Sequence, residues 1–276
     1  MTKPFCFSVD QIMFTPSASL HPLDIGLIRG YAIFDFFRTV GHKPLFLEAY
    51  LDRFITSAQK IYLPLDFDKS ELENIILTLI AKNELVEGGV RMVLTGGVSE
   101  NAFSPNRGSL FIFCEDLKMP AAEKYEQGVK LLSEEYVRPL PGIKTTNYTF
   151  PVWLSAQWKD QAAEDVIYHY NGVISESSRS NIFMVKNGEV ATPKSNILLG
   201  VTRKQVFALA DRTQERDISL TELLNADEVF MTSTTKRILP VTQIDGTLIK
   251  DGKPGPITQH LMERFKKLEK DQQAAG

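Results

Sequence analysis

Three dipeptides, Asn171-Gly172, Asn187-Gly188 and Asp245-Gly246, each stand between apolar or β-branched runs. Asn, Asp and Gly tolerate positive φ, the condition for the type I′ turns that join neighbouring antiparallel strands. The second half of the chain is therefore expected to be an antiparallel, barrel-like body. One helix interrupts it at "GVTRKQVFALADRT", where Thr202 and Gln205 have the spacing of a capping box and open an apolar stripe of Val206, Leu209 and Ala210.

The first half reads differently. Leu47, Leu51, Phe54, Ile55, Ala58 and Ile61 recur at helical spacing, as do Leu72, Ile75, Ile76, Leu79 and Ile80. Val90 to Thr95 and Leu110 to Cys114 read as strands, the first closed by Gly96-Gly97. Between the halves, Glu115 to Gly128 carries charge, proline and small residues but no periodic apolar face, which is linker composition. A chain of 276 residues can hold two modest domains. The expected organisation is an α+β protein with a small N-terminal domain over residues 1–117, a linker over 118–127 and a larger domain over 128–276.

Several classes are disfavoured. The net charge is −3 and no basic run exceeds Lys266-Lys267, so nucleic acid is not an expected partner. No stretch approaches the roughly 18 continuous apolar residues of a membrane span, and Met1 to Asp10 lacks a signal-peptide core, so a cytoplasmic location away from membranes is expected. Cys6 and Cys114 sit in alternating apolar stretches and read as reduced core thiols. His21, His42, His169 and His260 lack metal-ligand spacing, so no metal site is expected. Dinucleotide, P-loop and α/β-hydrolase fingerprints are missing.

What remains is a set of residues that need explaining. Glu176 lies in "NGVISESSRSNIF", a stretch reading as buried strand, where a carboxylate is costly without a partner. "GVTR" at Gly200 to Arg203 and "TSTTKR" at Thr232 to Arg237 are hydroxyl-rich turns of the kind that receive a phosphate. Thr202 serves equally as a helix cap, and Ser233 and Thr234 as plain turn residues. Lys144, in "PLPGIKTTNYTFP", would alone be read as a surface charge. Together, an amine able to form a Schiff base, a buried carboxylate and a phosphate cradle meet the three needs of pyridoxal phosphate.

Six ordered blocks carry a resemblance to the class IV aminotransferases, the fold-type IV pyridoxal-phosphate group with branched-chain and D-amino-acid aminotransferases and aminodeoxychorismate lyases. They are "LIRGYAIFDFFRT", "LEAYLDRFITSA", "GIKTTNY", "NGVISESSRSNIF", "LLGVTR" and "ADEVFMTSTTKRILPV", the last followed by "IDG" and "GKPGPIT". The resemblance implies a two-domain fold, pyridoxal 5′-phosphate as cofactor and a homodimer. It implies that Lys144 is the Schiff-base lysine and proton carrier, and that Glu176 faces the pyridine nitrogen. Arg53, Val201, Thr202, Ser233 and Thr234 match phosphate ligands, and Tyr148 the tyrosine near the phenolic oxygen. Phe34, Arg91, Arg29, Arg179 and Thr235 fall where substrate would be met.

Departures fall in the substrate region. Ser177 and Arg179 replace family glycines, Tyr50 a histidine, and Gly89 and Met92 the tyrosine and proline flanking Arg91 in the branched-chain pattern. Gly96 stands where D-amino-acid enzymes carry a carboxylate-trapping arginine. The implied activity is amino transfer between an amino acid, branched-chain-like in preference, and a 2-oxo acid with ping-pong kinetics. The alternatives are a lyase releasing pyruvate from aminodeoxychorismate and a non-catalytic cofactor-binding protein.

Overall fold

The computed structural model describes residues 1–275 and divides into two compact units. The first comprises Met1–Lys118 with Ile143–Tyr148 and residues 271–275; the second comprises Met119–Gly142 and Thr149–Lys270. Residues 143–148, which include Lys144, thus group with the N-terminal unit.

In the first unit, strands β1 (Thr2–Ser8), β2 (Gln11–Phe14), β3 (Ala32–Val40), β4 (Lys43–Pro44), β5 (Gly88–Thr95) and β6 (Leu110–Glu115) form a sheet in the order β2-β1-β6-β5-β3-β4. A short helix α1 (Ile25–Ile28) precedes β3, and α2 (Leu47–Lys60) and α3 (Lys69–Lys82) fill the space between β4 and β5 in sequence. Both long helices follow the expected stripes. Leu51, Phe54 and Ala58 of α2 and Leu72, Ile76, Leu79 and Ile80 of α3 are buried, each larger side chain worth about 1.5–3 kcal/mol relative to exposure. A capping box starts α3: Asp68 accepts from Glu71 N while Glu71 accepts from Asp68 N, both at 2.8 Å. Cys6 and Cys114 are buried and free.

The lysine segment lies along β3. Ile33 and Thr145 form an antiparallel bridge, Phe34 N donates to Lys144 O at 2.9 Å, and Thr146 N donates to Ala32 O at 3.0 Å. These two backbone hydrogen bonds hold Lys144 against the strand that carries Phe34.

The second unit contains α4 (Ala122–Gln127), β7 (Val129–Glu135), α5 (Thr149–Asp160), β8 (Asp165–Tyr170), β9 (Val173–Ser177), β10 (Asn181–Lys186), β11 (Glu189–Pro193), α6 (Val201–Leu209), β12 (Thr213–Arg216), α7 (Leu220–Leu224), β13 (Glu228–Ser233), β14 (Arg237–Ile244) and β15 (Thr247–Leu248), before α8 (Pro256–Ala275). Its strands run β12-β11-β10-β13-β14-β7-β8-β9, and β9 also pairs with β10 through Glu176 and Asn181. That last pairing closes β10-β13-β14-β7-β8-β9 into a ring around Leu131, Ile167, Ile182, Met184, Met231 and Leu239.

Three details correct the sequence reading. The barrel is not wholly antiparallel, because β7 runs parallel to both β8 and β14. Asn171-Gly172 and Asn187-Gly188 have positive φ at both residues, as type I′ turns require; at Asp245-Gly246 only Asp245 does. Residues 118–127, read as linker, include α4, whose Tyr125 packs on the barrel core and donates its hydroxyl to Lys236 O at 3.0 Å.

Candidate active site

In the first unit, β3 places Phe34 and Phe36 on one face and Asp35 on the other. The Lys144 amine lies 4.7 Å from the Phe34 ring centroid, and Tyr148 meets that ring edge-on at 5.6 Å. Arg91, opposite Phe36 on β5, stacks 4.8 Å from the Phe36 ring and 5.6 Å from Phe34. Its charge is engaged by Glu115, with Nη2 2.6 Å from Oε1. Phe36 lies over Gly89: a Cβ there would stand 2.1 Å from the ring's Cζ, so the strand has room for the aromatic only because it carries glycine. Lys144, Phe34, Tyr148 and Arg91 therefore form one cluster. Arg29 stands apart, exposed, donating to Ala102 O at 3.2 Å.

On the opposite face of β3, Asp35 grips Arg53 of α2 by two bonds, Nε to Oδ2 at 2.8 Å and Nη2 to Oδ1 at 2.6 Å. The side chains are only 13% and 1% exposed. Burial pulls the Arg53 pKa down, but the Asp35 charge and hydrogen bonds outweigh it and raise the value, leaving a permanent guanidinium.

In the second unit, Glu176 is buried and fully answered. Arg138 Nε donates to Oε1 at 2.9 Å, and Leu198 N donates to Oε2 at 2.8 Å. Arg138 is itself fixed by the Pro141 carbonyl. The same strap binds back to β10, where Asn181 Nδ2 donates to Leu198 O at 2.8 Å. It then runs through Gly200 into α6, so the helix start is tied to Glu176 by its own backbone. The N-cap is Gly200 and no side chain caps the helix. Thr202 is thus not the cap residue of a capping box; it lies buried in the first turn, one position after Val201, where the helix N–H groups lack intrahelical partners.

The turn between β13 and β14 carries Ser233, Thr234 and Thr235, and reaches the Glu176 hairpin through the Asn181–Thr232 pair. Arg179, on the turn after β9, is exposed, with its N–H 3.4 Å from Ser177 Oγ. Among the described residues no cluster of His, Cys, Asp or Glu could hold a metal ion, and no helix is long and apolar enough to cross a membrane.

A family profile described as amino-transferase class IV matches residues 32–244, more than half of the chain. The chain belongs to the class IV aminotransferases. A protein called a D-alanine aminotransferase in Listeria monocytogenes is 34% identical to this aminotransferase over 92% of the chain and 91% of its own length. A putative branched-chain-amino-acid aminotransferase of Methanocaldococcus jannaschii is 31% identical over 91% of each. The solved branched-chain amino acid aminotransferase of Escherichia coli superposes with a TM-score of 0.91 at 25% identity, covering 97% of this chain and 95% of that one.

The aminotransferase's donor set suits the family's cofactor. Ser180 and Ser233 have buried hydroxyls with no hydrogen-bond partner among the described residues, the condition of groups kept for an anion. The uncapped α6 start supplies further N–H donors. The amine, the buried carboxylate and these donors are the three chemistries pyridoxal phosphate requires. Sequence reasoning missed Asp35, Arg138 and the Leu198 N–H. For Asp35 a signal existed, a carboxylate inside the apolar run "AIFDFF".

Proposed function

We propose that this aminotransferase moves amino groups between a 2-oxo acid and amino acids with apolar side chains, branched-chain-like in preference. The observation that carries the substrate class is the wall beside Lys144: Phe34 and Phe36 offer aromatic surface, and Arg91, the cation stacked on them, is already neutralised by Glu115. Arg91's charge is thus spent on Glu115 and is not held in reserve for a charged side chain. Gly96 supports the same reading, because a Cβ there would stand 2.4 Å from Ile25 Cγ1, leaving no room for a carboxylate-trapping arginine.

When bound, pyridoxal phosphate supplies the electron sink for the carbanion at the substrate's Cα. Lys144 would hold the cofactor at its aldehyde carbon, and its Nζ would take up the proton from the substrate's Cα. Glu176, set against Arg138, would hold the proton on the pyridine nitrogen. Arg53, Ser233, Thr234, Thr202 and the Val201 N–H would hold the phosphate, and Tyr148 would donate to the phenolic oxygen. Arg91 would act by lining the wall, with Arg179 and Thr235 completing the substrate's surroundings; Arg29, apart from the Lys144 cluster, receives no such role. Release of the first oxo acid before the second binds gives ping-pong kinetics.

We also propose a cytoplasmic homodimer. Val152 and Trp153 on α5, 66% and 63% exposed, support a covered face there.

The test is a half-reaction screen on protein purified with pyridoxal phosphate, following the visible band of the bound cofactor. Loss of the band with L-leucine, L-isoleucine or L-valine, and its return with a 2-oxo acid, is expected. Response to D-alanine alone would move the assignment towards the Listeria relative. Pyruvate released from aminodeoxychorismate with no response to amino acids would make the chain a lyase. Lys144→Ala should abolish the band and turnover together.

A further inference from the structure

Asp165 opens β8 with no exposed surface, and its pairing partner Leu131 points into the barrel core. Side chains opposite one another in a sheet share a face, so this carboxylate lies on the inward face of the barrel. Its Oδ1 accepts from Ser178 Oγ at 2.6 Å and from Val166 N at 2.8 Å. Its Oδ2 faces Lys236 Nζ at 3.5 Å, and Lys236 is itself 4% exposed. The lysine's backbone is held on both sides, its N–H donating to Ser233 O at 3.3 Å and its carbonyl accepting from Tyr125. Burial, opposed by Asp165 and assisted by the nearby Arg179, lowers the lysine's pKa. Glu164, the remaining carboxylate near it, is paired with Lys124 at 2.6 Å.

A buried ion pair adds little stability over apolar residues of equal volume, so stability alone does not account for this one. Its placement does. Ser178 belongs to the turn that leaves Glu176 and leads to Ser180, and Lys236 to the turn that carries Ser233. Those two turns hold the partnerless hydroxyls, and strand pairing joins them at Asn181 and Thr232. We infer that Lys236, Asp165 and Ser178 form a buried clasp that locks these two turns together and sets the Ser180 and Ser233 hydroxyls in register for the cofactor's phosphate. They are positioning residues, and the cofactor part of the inference rests on the proposed function.

The test removes both charges at once, so that neither is left buried alone: Lys236→Met with Asp165→Asn, compared with Ser178→Ala and Lys236→Arg. Hydrogen–deuterium exchange on the cofactor-free protein should show faster exchange in residues 178–180 and 233–236 together in the double variant. Pyridoxal phosphate affinity, read by fluorescence titration, should fall about tenfold, the scale of one charge-assisted hydrogen bond, and Lys236→Arg should recover most of it. Ser178→Ala should loosen residues 178–180 while leaving the ion pair in place. Exchange confined to one turn in the double variant, or wild-type affinity despite looser turns, would overturn the inference. A wild-type chain that binds no pyridoxal phosphate defeats the proposed function, whereas the exchange data decide the clasp separately.

Discussion

Two buried ion pairs, one in each unit, hold the charges assigned to the cofactor, and they are mirror images. In the first unit the member proposed to meet the cofactor is a cation, Arg53, and its keeper is the carboxylate of Asp35. In the second the member proposed to meet it is a carboxylate, Glu176, and its keeper is the cation Arg138. Each charge is thus compensated inside its own unit. An uncompensated charge in either place would cost several kcal/mol of desolvation, so each unit can reach its folded state without the cofactor present to balance it. The pairs differ in degree: Arg53 retains 13% side-chain exposure, Glu176 only 6%.

The sharpest way to break the symmetry is Arg138→Met. It leaves a buried carboxylate without its cation and should cost about 3–5 kcal/mol in urea unfolding of the second unit; a loss below about 1 kcal/mol would mean that the carboxylate's remaining hydrogen bonds suffice. Adding Glu176→Gln to that variant should restore most of the stability while turnover stays down by about a hundredfold or more, separating the pair's structural part from its chemical one. Asp35→Asn keeps the shape at the first pair and removes its charge. The expected loss is smaller, about 1–3 kcal/mol, accompanied by weaker phosphate binding in a pyridoxal phosphate titration.

The smallest expected effect is a test of independence. Both cysteines lie in the first unit, and burial raises the Cys114 thiol to about 11. At pH 8 the group is therefore protonated and unreactive while folded, and this protection is lost as pH rises towards 11 or as the unit opens. If each unit keeps its own charges balanced, alkylation of Cys114 in Arg138→Met should stay at the wild-type rate. Faster labelling would show that a lesion in the second unit opens the first.

The same contrast explains what was legible in the chain. Lys144, Glu176 and Arg53 stand in short local blocks, and their types at those spacings are what suggest the roles proposed for them. Asp35 and Arg138 are keepers, and a keeper can come from any element that folds back far enough: Arg53 reaches Asp35 across 18 residues, Arg138 reaches Glu176 across 38. Local patterns named the helices α2 and α3 because amphipathic spacing is local. They misplaced the start of α6, since its N-cap is Gly200 and no side chain caps it, so no capping residue marks the helix start. They read residues 118–127 as linker because the packing of α4 depends on one tyrosine rather than on a periodic stripe. The hairpin signals report only strands adjacent in sequence, so the parallel seams of the barrel left no trace in them.

One of those seams has a consequence in time. Val129 of β7 pairs with Val241 of β14, at opposite ends of the second unit's sequence. As the chain leaves a ribosome from its N-terminus, β7 emerges long before the strand that will cover its edge. Until β14 arrives the ring cannot shut, and an apolar strand waits with open backbone groups. Maturation of the barrel is therefore gated by the last strands made, and the interval before they appear is when this protein is most exposed to pairing with the wrong neighbour.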